Sequence, residues 1–236
     1  WTDAHRSSTK HGSLGQSFSA RMKWQILILS QPARREFLRQ LTEYLEPQIS
    51  ALGLRRCESV EIITSQFDSK YDLGTNRQKL KEQSDAEYIN FCDDDDLLAP
   101  DYIQKILPLL DGVDQIGFQV ECHRAGRKEP LLADHSLKYR NWHENRNGRI
   151  GVPGVLCRDI SHMTPMRREL SMRAMMEGGV GEDCRWANQI RDLGIVRTEH
   201  YVPEVMYFYL ERGIKNDARD PFDPWRLQFI ERLNAK

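Results

Sequence analysis

The run Tyr88-Ile89-Asn90-Phe91-Cys92 leads without a break into four consecutive aspartates, Asp93 to Asp96. Aromatic and β-branched residues dominate the first part, which reads as a buried strand. Four adjacent carboxylates cannot follow that strand into a core, so the chain must surface where they begin. Like charges packed this closely repel one another unless something positive sits among them. Hard oxygen ligands of this kind suit Mg²⁺ or Mn²⁺, and carboxylates that hold such a metal can in turn hold a diphosphate. The plainer alternative is a solvated acidic turn capping the next helix, because Leu97-Leu98-Ala99-Pro100-Asp101-Tyr102 reads as a loop entering one.

The preceding sequence alternates strands and helices. Trp24-Gln25-Ile26-Leu27-Ile28-Leu29 is an apolar run of strand length, stopped by Ser30-Gln31-Pro32. Phe37, Leu38, Leu41, Leu45 and Ile49 then recur at helical spacing. A second strand, Val60 to Thr64, precedes a polar loop, a helix over about 75–83, and the strand that carries the acids. This order predicts an α/β fold with a mainly parallel central sheet flanked by helices, whose ligands bind beyond the carboxyl ends of the strands. Further on, the pattern predicts a helix from Pro100 to Leu110, a strand from Gln115 to Cys122, and a helix from Glu169 to Met176. The polar stretch from His123 to Arg149 reads as an exposed loop. Its Lys138, Arg140, His143, Arg146 and Arg149, interleaved with Tyr139 and Trp142, also suit an anionic acceptor.

Charge and cysteine usage narrow the class. Lys and Arg total 34 against 35 acids, which gives no support for a nucleic-acid coat protein or a binder of anionic membranes, so any basic surface is local. Five scattered cysteines without a C-x-x-C pair argue against a zinc knuckle or a disulfide framework and fit a cytoplasmic protein. No apolar stretch approaches the roughly 20 residues that cross a bilayer. Residues 1–21 read as a disordered leader or a cloning remnant, with Met22 as a natural start.

A second acidic site follows the glycine-rich turn at Gly178-Gly179-Val180-Gly181. Glu182 and Asp183 open a segment with helical apolar spacing, Cys184 to Ile190. A helix N-terminus stabilises a carboxylate by roughly 0.3 to 1 kcal/mol, so these acids suit a plain cap as well as a catalytic base.

Six segments together carry a resemblance. They are Trp24 to Arg35; Val60 to Thr64; Gly74-Thr75-Asn76-Arg77 with Leu80; Tyr88 to Asp96 with Pro100; His162 to Arg168; and Gly181-Glu182-Asp183. Their order resembles that of glycosyltransferase family 2-like enzymes of the GT-A fold, over about 24–210. The resemblance implies a single domain over 22–236, with a nucleotide-sugar-binding half at 22–110 and an acceptor-binding half at 111–236. It implies a metal-dependent inverting transferase that uses Mn²⁺ or Mg²⁺ and a nucleotide-diphosphate sugar, expected to be a UDP-sugar. Asp93 and Asp95 resemble the acids of the D-x-D element: Asp93 near the donor ribose and shared with the metal, Asp95 on the metal. Asp94 stands beside them as a donor contact and Asp96 as an assistant. Ser30 and Arg77 are implied to hold the nucleotide, Asp183 to act as the base, and Glu182 to orient the acceptor.

The chain departs from the family pattern in two places. Where relatives carry a base-reading aspartate after the second strand, only Asp68 offers a loose match. Where many place a metal-binding histidine, Met206-Tyr207-Phe208-Tyr209 puts Phe208, which leaves His200 as a substitute. His162 is a further candidate to face the donor or acceptor. A nucleotidyltransferase acting on a sugar phosphate is a rival, but the turn Ser30 to Arg35 lacks a glycine-rich phosphate loop. A non-enzymatic cation- or protein-binding module is a second, yet the D-x-D-x-D-G pattern of a calcium loop is absent. The acceptor stays open among a saccharide, a lipid-linked precursor, a protein and modified DNA. Trp225 and Phe229 are expected to pack as a last helix or to serve a homo-oligomer interface.

Overall fold

A computed structural model describes residues 23–53, 59–124, 129–140, 142–145, 155–211 and 224–235. The leader expected at 1–21 and the basic residues Arg146 and Arg149 lie outside these.

Strand β1 (Trp24–Ser30) is the axis of the parallel part of the sheet. Six of its seven residues are buried, as a strand covered on both faces requires. It pairs in parallel with β2 (Val60–Gln66) on one side and β3 (Tyr88–Phe91) on the other, so that Trp24 stands opposite both Val60 and Tyr88. The crossovers are helical. Helix α1 (Arg35–Ser50) buries Phe37, Leu41, Tyr44 and Leu45 along one stripe. Helix α2 (Leu73–Gln83) is capped by Asp72, whose carboxylate accepts the Thr75 N–H at 2.7 Å.

After β3 the chain makes the acidic turn and a two-residue strand, β4 (Leu97–Leu98). The helix expected from Pro100 to Leu110 is shorter: α3 spans Tyr102–Ile106 and gives way to a 3₁₀ turn at Leu107–Leu109. Pro108 accounts for this, since it lacks the N–H an α-helix needs and its ring crowds the preceding turn. Then come β5 (Gln115–Arg124), β6 (Leu131–His135), β7 (His143–Asn145), β8 (Val155–Arg158) and β9 (Met166–Arg167). The stretch expected as an exposed loop thus contains β6 and β7, because apolar Leu131, Leu132 and Ala133 extend the sheet beside β5.

The helix expected over Glu169 to Met176 is cut to α4 (Arg168–Ser171). Side chains of α2 take the backbone groups that would have continued it. Buried Lys81 donates from Nζ to the Ser171 and Ala174 carbonyls at 2.9 and 3.1 Å, and Gln78 accepts the Met176 N–H at 3.1 Å. Helix α5 (Glu182–Leu193) starts after Gly181 and stops at Gly194, both with positive φ. Strand β10 (Glu199–Glu211) and helix α6 (Pro224–Asn234) complete the described chain.

The sheet runs β2-β1-β3-β9-β5-β6-β8-β7, with β10 parallel to β5 and antiparallel to β4. It is mixed: parallel in β2-β1-β3, where helices make the crossovers, and antiparallel where β9 joins β3 to β5. Alternation along β1 feeds two cores. Trp24, Ile26 and Ile28 join Tyr102, Phe118 and Phe229 on one side, while Leu27 joins Leu80, Phe91 and Trp186 on the other. Phe229 therefore packs within the chain, edge-on to Phe208 at 5.3 Å. Cys92, Cys122 and Cys157 are buried thiols. Among the described residues no helix is long and apolar enough to cross a membrane.

Gly74 marks the closest approach between α2 and the segment that leads to α5. A Cβ there would meet the Glu177 backbone at about 2.5 Å, and the Gly74 N–H donates to the Gly178 carbonyl at 2.8 Å. Gly74→Ala is expected to destabilise the protein by about 1–3 kcal/mol in urea unfolding. A change within error would show that the contact is slack.

Candidate active site

The acidic turn forms one part of a cleft of about 450 Å³, lined by Asp93 to Asp96, Arg34, Arg77 and the apolar Leu29, Phe67 and Leu73. The four carboxylates are not equivalent. Asp94 is buried and paired with Arg34 Nη1 at 2.8 Å; burial pushes its carboxyl up, while the nearby Ser30 hydroxyl and Arg34 pull it down. Its Oδ2 makes no hydrogen bond. Asp95 is more open than Asp94, 19% exposed, with Arg34 Nη2 at 3.2 Å. Asp96 faces inward, accepting from the Tyr207 hydroxyl at 2.6 Å and the Leu210 N–H at 2.8 Å. Burial, then the charges of Asp95 and Asp93, hold it well above the usual carboxylate range. The Tyr207 oxygen also accepts the Asp93 N–H at 3.2 Å, so β10 braces the turn from behind.

Asp93 is paired with Arg77. Burial alone would raise its carboxyl, but the Arg77 guanidinium outweighs that and holds it low. Arg77 projects from α2 and is buried; its other Nη pairs with Glu182 at the start of α5. Burial raises the Glu182 carboxyl against the pull of Arg77. One guanidinium therefore joins the two acidic sites separated by about ninety residues of sequence.

Asp183 is 25% exposed and stands next to Glu182, outside the lining of the cleft, with His162 Nδ1 at 3.6 Å from its Oδ2. Burial and Arg77 drive the His162 pKa down to about 4, against the opposing pull of Asp183 and Asp93. A neutral imidazole at ordinary pH thus sits between the donor acids and Asp183.

The structure brings Arg77, Asp93, Asp94, Asp95, Glu182, Asp183 and His162 together and leaves other candidates apart. Ser30 turns its hydroxyl onto the Gln31 carbonyl at 3.3 Å and reaches the acids only through its influence on Asp94. Asp68 is exposed and accepts the Lys70 N–H at 3.0 Å in a local turn; its neighbour Phe67 lines the cleft instead. His200 is exposed at the start of β10, seven residues before Tyr207 and so roughly 20 Å along the strand from the acids. It is not in place to complete a metal site. Phe208 turns away into the cluster with His123 and Phe229, while Tyr209 lines the cleft.

Two arginines were not anticipated from the sequence. Arg34 follows the 3₁₀ turn that Pro32 begins, and Arg226 donates from α6 to the Asp95 carbonyl at 2.5 Å. The basic residues after the first strand were a usable signal for Arg34. Nothing in the local pattern ties Arg226 to residues 131 positions earlier.

Asp93 and Asp95 suit a cation shared with a donor's phosphates. Mg²⁺ in such sites is held by one or two carboxylates together with phosphates and water. The residues present fit that arrangement rather than an all-protein cage: among the described residues no group of three His, Cys, Asp or Glu side chains converges. The bare Oδ2 of Asp94 marks further acceptor capacity beside the same cleft.

The family model for glycosyl transferase family 2 matches residues 16–173, more than half of the chain. No curated protein sequence matches it. Among solved structures, S. aureus TarS 1–349 aligns with a TM-score of 0.51 and 12% identity, over 80% of this chain and 60% of that one. The same protein in complex with UDP-GlcNAc gives 0.51 and 14%, over 91% and 66%. The chain thus spans less than two thirds of either TarS structure, and at this identity the likeness concerns the fold, that of the GT-A glycosyltransferases. A Drosophila β-1,4-galactosyltransferase 7 mutant in complex with manganese, UDP-Gal and xylobiose is a looser likeness, with a TM-score of 0.46, 15% identity and coverage of 87% and 79%.

Removing the Arg77 guanidinium strands two acids. Arg77→Met is expected to cost about 3–5 kcal/mol of stability near neutral pH, since a broken buried pair leaves charge uncompensated. The low-held Asp93 contributes stability present above its unfolded value, about 3.9, and lost as pH falls through its native one. The raised Glu182 opposes folding at high pH and stops doing so once protonated. Without Arg77 both carboxyls rise, so the deficit should shrink on acidification. Urea unfolding at about pH 7 and about pH 5 checks this, and equal deficits would contradict it.

Proposed function

The chain belongs to glycosyl transferase family 2, and we propose that it moves a sugar from a UDP-sugar to an acceptor hydroxyl with inversion, Asp183 serving as general base. The reading rests above all on Arg77, which ties the donor acid Asp93 to Glu182 beside that base. Support for a UDP-sugar comes from the TarS complex with UDP-GlcNAc. Leu29, Phe67 and Leu73 give the donor cleft an apolar wall for a uracil ring.

Charge sets the division of labour. The acceptor hydroxyl becomes a competent nucleophile when Asp183 takes its proton. Asp183 lies in the first turn of α5, and the neutral His162 beside it adds no cation there. Negative charge develops on the departing diphosphate, and Arg77 and Arg34 offer guanidinium N–H groups in the same cleft. A divalent cation on Asp95 and Asp93 would add Lewis-acid stabilisation there. Attack by the hydroxyl oxygen on the anomeric carbon breaks the bond to the phosphate oxygen, which keeps the electron pair. One displacement inverts that carbon and leaves no covalent sugar-enzyme intermediate.

Asp183→Asn is expected to lower transfer by at least about 10²-fold while sparing UDP binding, because a general base contributes that much. Asp95→Asn should instead weaken UDP binding in Mn²⁺ and leave metal-free binding little changed. Titration calorimetry with UDP, run with and without Mn²⁺ beside a turnover assay, separates the two, and wild-type turnover in either variant would sink its assigned role. In the unaltered protein Mn²⁺ and UDP should each tighten the other's binding by the same factor, since coupling is reciprocal. Independent binding would argue against a shared cation.

A further inference from the structure

A second cleft, of about 410 Å³, opens at the far end of α5 over the apolar side chains of Leu137, Ile160 and Ile190. Arg140, Arg191 and Arg197 also line it. Its one lining carboxylate, Asp159, is already held by Arg191, through Nε to Oδ2 and through Nη2 to Oδ1 at 2.8 Å. Among the described residues no carboxylate forms an ion pair with Arg140 or Arg197. The same holds for Arg158 at the end of β8, whose half-buried guanidinium lies over the Trp142 ring at 4.6 Å.

These groups form a connected path from the cleft to the base. Trp142 donates its indole N–H to the Ile160 carbonyl at 2.8 Å, which joins the Arg158–Trp142 stack to the cleft floor. Arg158 is close enough to Asp183 for that carboxylate to count among the groups that oppose the effect of its burial. Ile190 follows Asp183 by seven residues, about 10 Å along the axis of α5; Ala187 between them is buried, so the part-exposed side chains between cleft and base are those of Trp142 and Arg158.

We propose that the acceptor hydroxyl is carried on a nucleic-acid strand, which runs past Trp142 with its phosphates on Arg140, Arg197 and Arg158. The inference rests on the transferase reading above and names its acceptor class. Guanidinium forks match phosphate oxygens in bidentate fashion. At about 3.4 Å per phosphate in a duplex strand, the distance from Asp183 to the cleft accommodates roughly three. A strand also brings flat apolar bases, and the part-exposed Trp142 with Leu137 of the cleft floor provides the alternation of cation and apolar face that such strands use. A carboxylate polymer would satisfy the arginines and leave that floor without a partner.

The transfer adds no reagent. The strand's hydroxyl oxygen bonds to the anomeric carbon, the sugar-phosphate bond breaks toward UDP, and the proton passes to Asp183.

Fluorescence anisotropy of the full chain with a labelled single-stranded oligodeoxynucleotide tests the proposal. Binding should weaken as salt rises. Arg140→Gln with Arg197→Gln should weaken it at least fivefold and lower the salt slope by about 2, roughly 1 for each phosphate that no longer meets a guanidinium. An unchanged unfolding midpoint shows that these exposed substitutions leave the fold intact. Absence of binding at low salt would overturn the inference, as would binding unchanged in the double variant. So would equally tight binding of polyglutamate or poly(glycerol phosphate), since charge or phosphate alone would then suffice. UDP release from UDP-GlcNAc by the unaltered chain is followed in parallel. Release without oligonucleotide binding overturns the acceptor alone, whereas oligonucleotide binding without UDP binding or release overturns the transferase reading and the acceptor with it.

Discussion

Arg77 is the charge on which the arrangement turns. It is a buried guanidinium flanked by Asp93 and Glu182, which sit on different elements in different halves of the chain. A buried arginine without anions would not be tolerated, and neither would two buried carboxylates without a cation. Each of the three therefore fixes the others. The remaining contacts of α2 follow the same line: Gly74 lets the backbone at 177 and 178 come close, Gln78 and Lys81 hold the strand-like passage before the turn, and Arg77 takes its end. One helix face thus holds the start of α5 against the acidic turn.

The acidic turn shows how a charge run survives in a folded protein. Asp94 and Asp95 share Arg34, Asp93 has Arg77, and Asp96 escapes the repulsion by facing the Tyr207 hydroxyl and a backbone N–H. Burial and repulsion both push the Asp96 carboxyl up, and both its oxygens already accept hydrogen bonds. The asymmetry leaves Asp93 and Asp95, 31% and 19% exposed, as the carboxylates open to the cleft.

The parts of this architecture written in local pattern were legible. The run Trp24 to Leu29, the stripe of α1 and the strand before the acids each carry their own periodicity, and each forms close to where it was expected. Asp183 and Glu182 were legible as a helix start. What failed was non-local. The helix over 169–176 yields to side chains of α2, β6 forms on the edge that β5 offers and β7 on that of β8, and Arg226 meets the acidic turn only through tertiary folding. His200 illustrates the opposite error: nearness in sequence to Tyr207 becomes distance when the intervening residues are an extended strand.

The brace that β10 supplies bears on the order in which the site can form during synthesis. The acids precede β10 by about a hundred residues, but the hydroxyl and the N–H that satisfy Asp96 come from Tyr207 and Leu210. Until β10 has threaded alongside β5, the acidic turn has no back wall, and its inward carboxyl has nothing to accept from. A chain stopped before that strand holds all four acids and leaves Asp96 without the two groups that satisfy it. The acidic turn is therefore complete only when residues about a hundred positions away are in place.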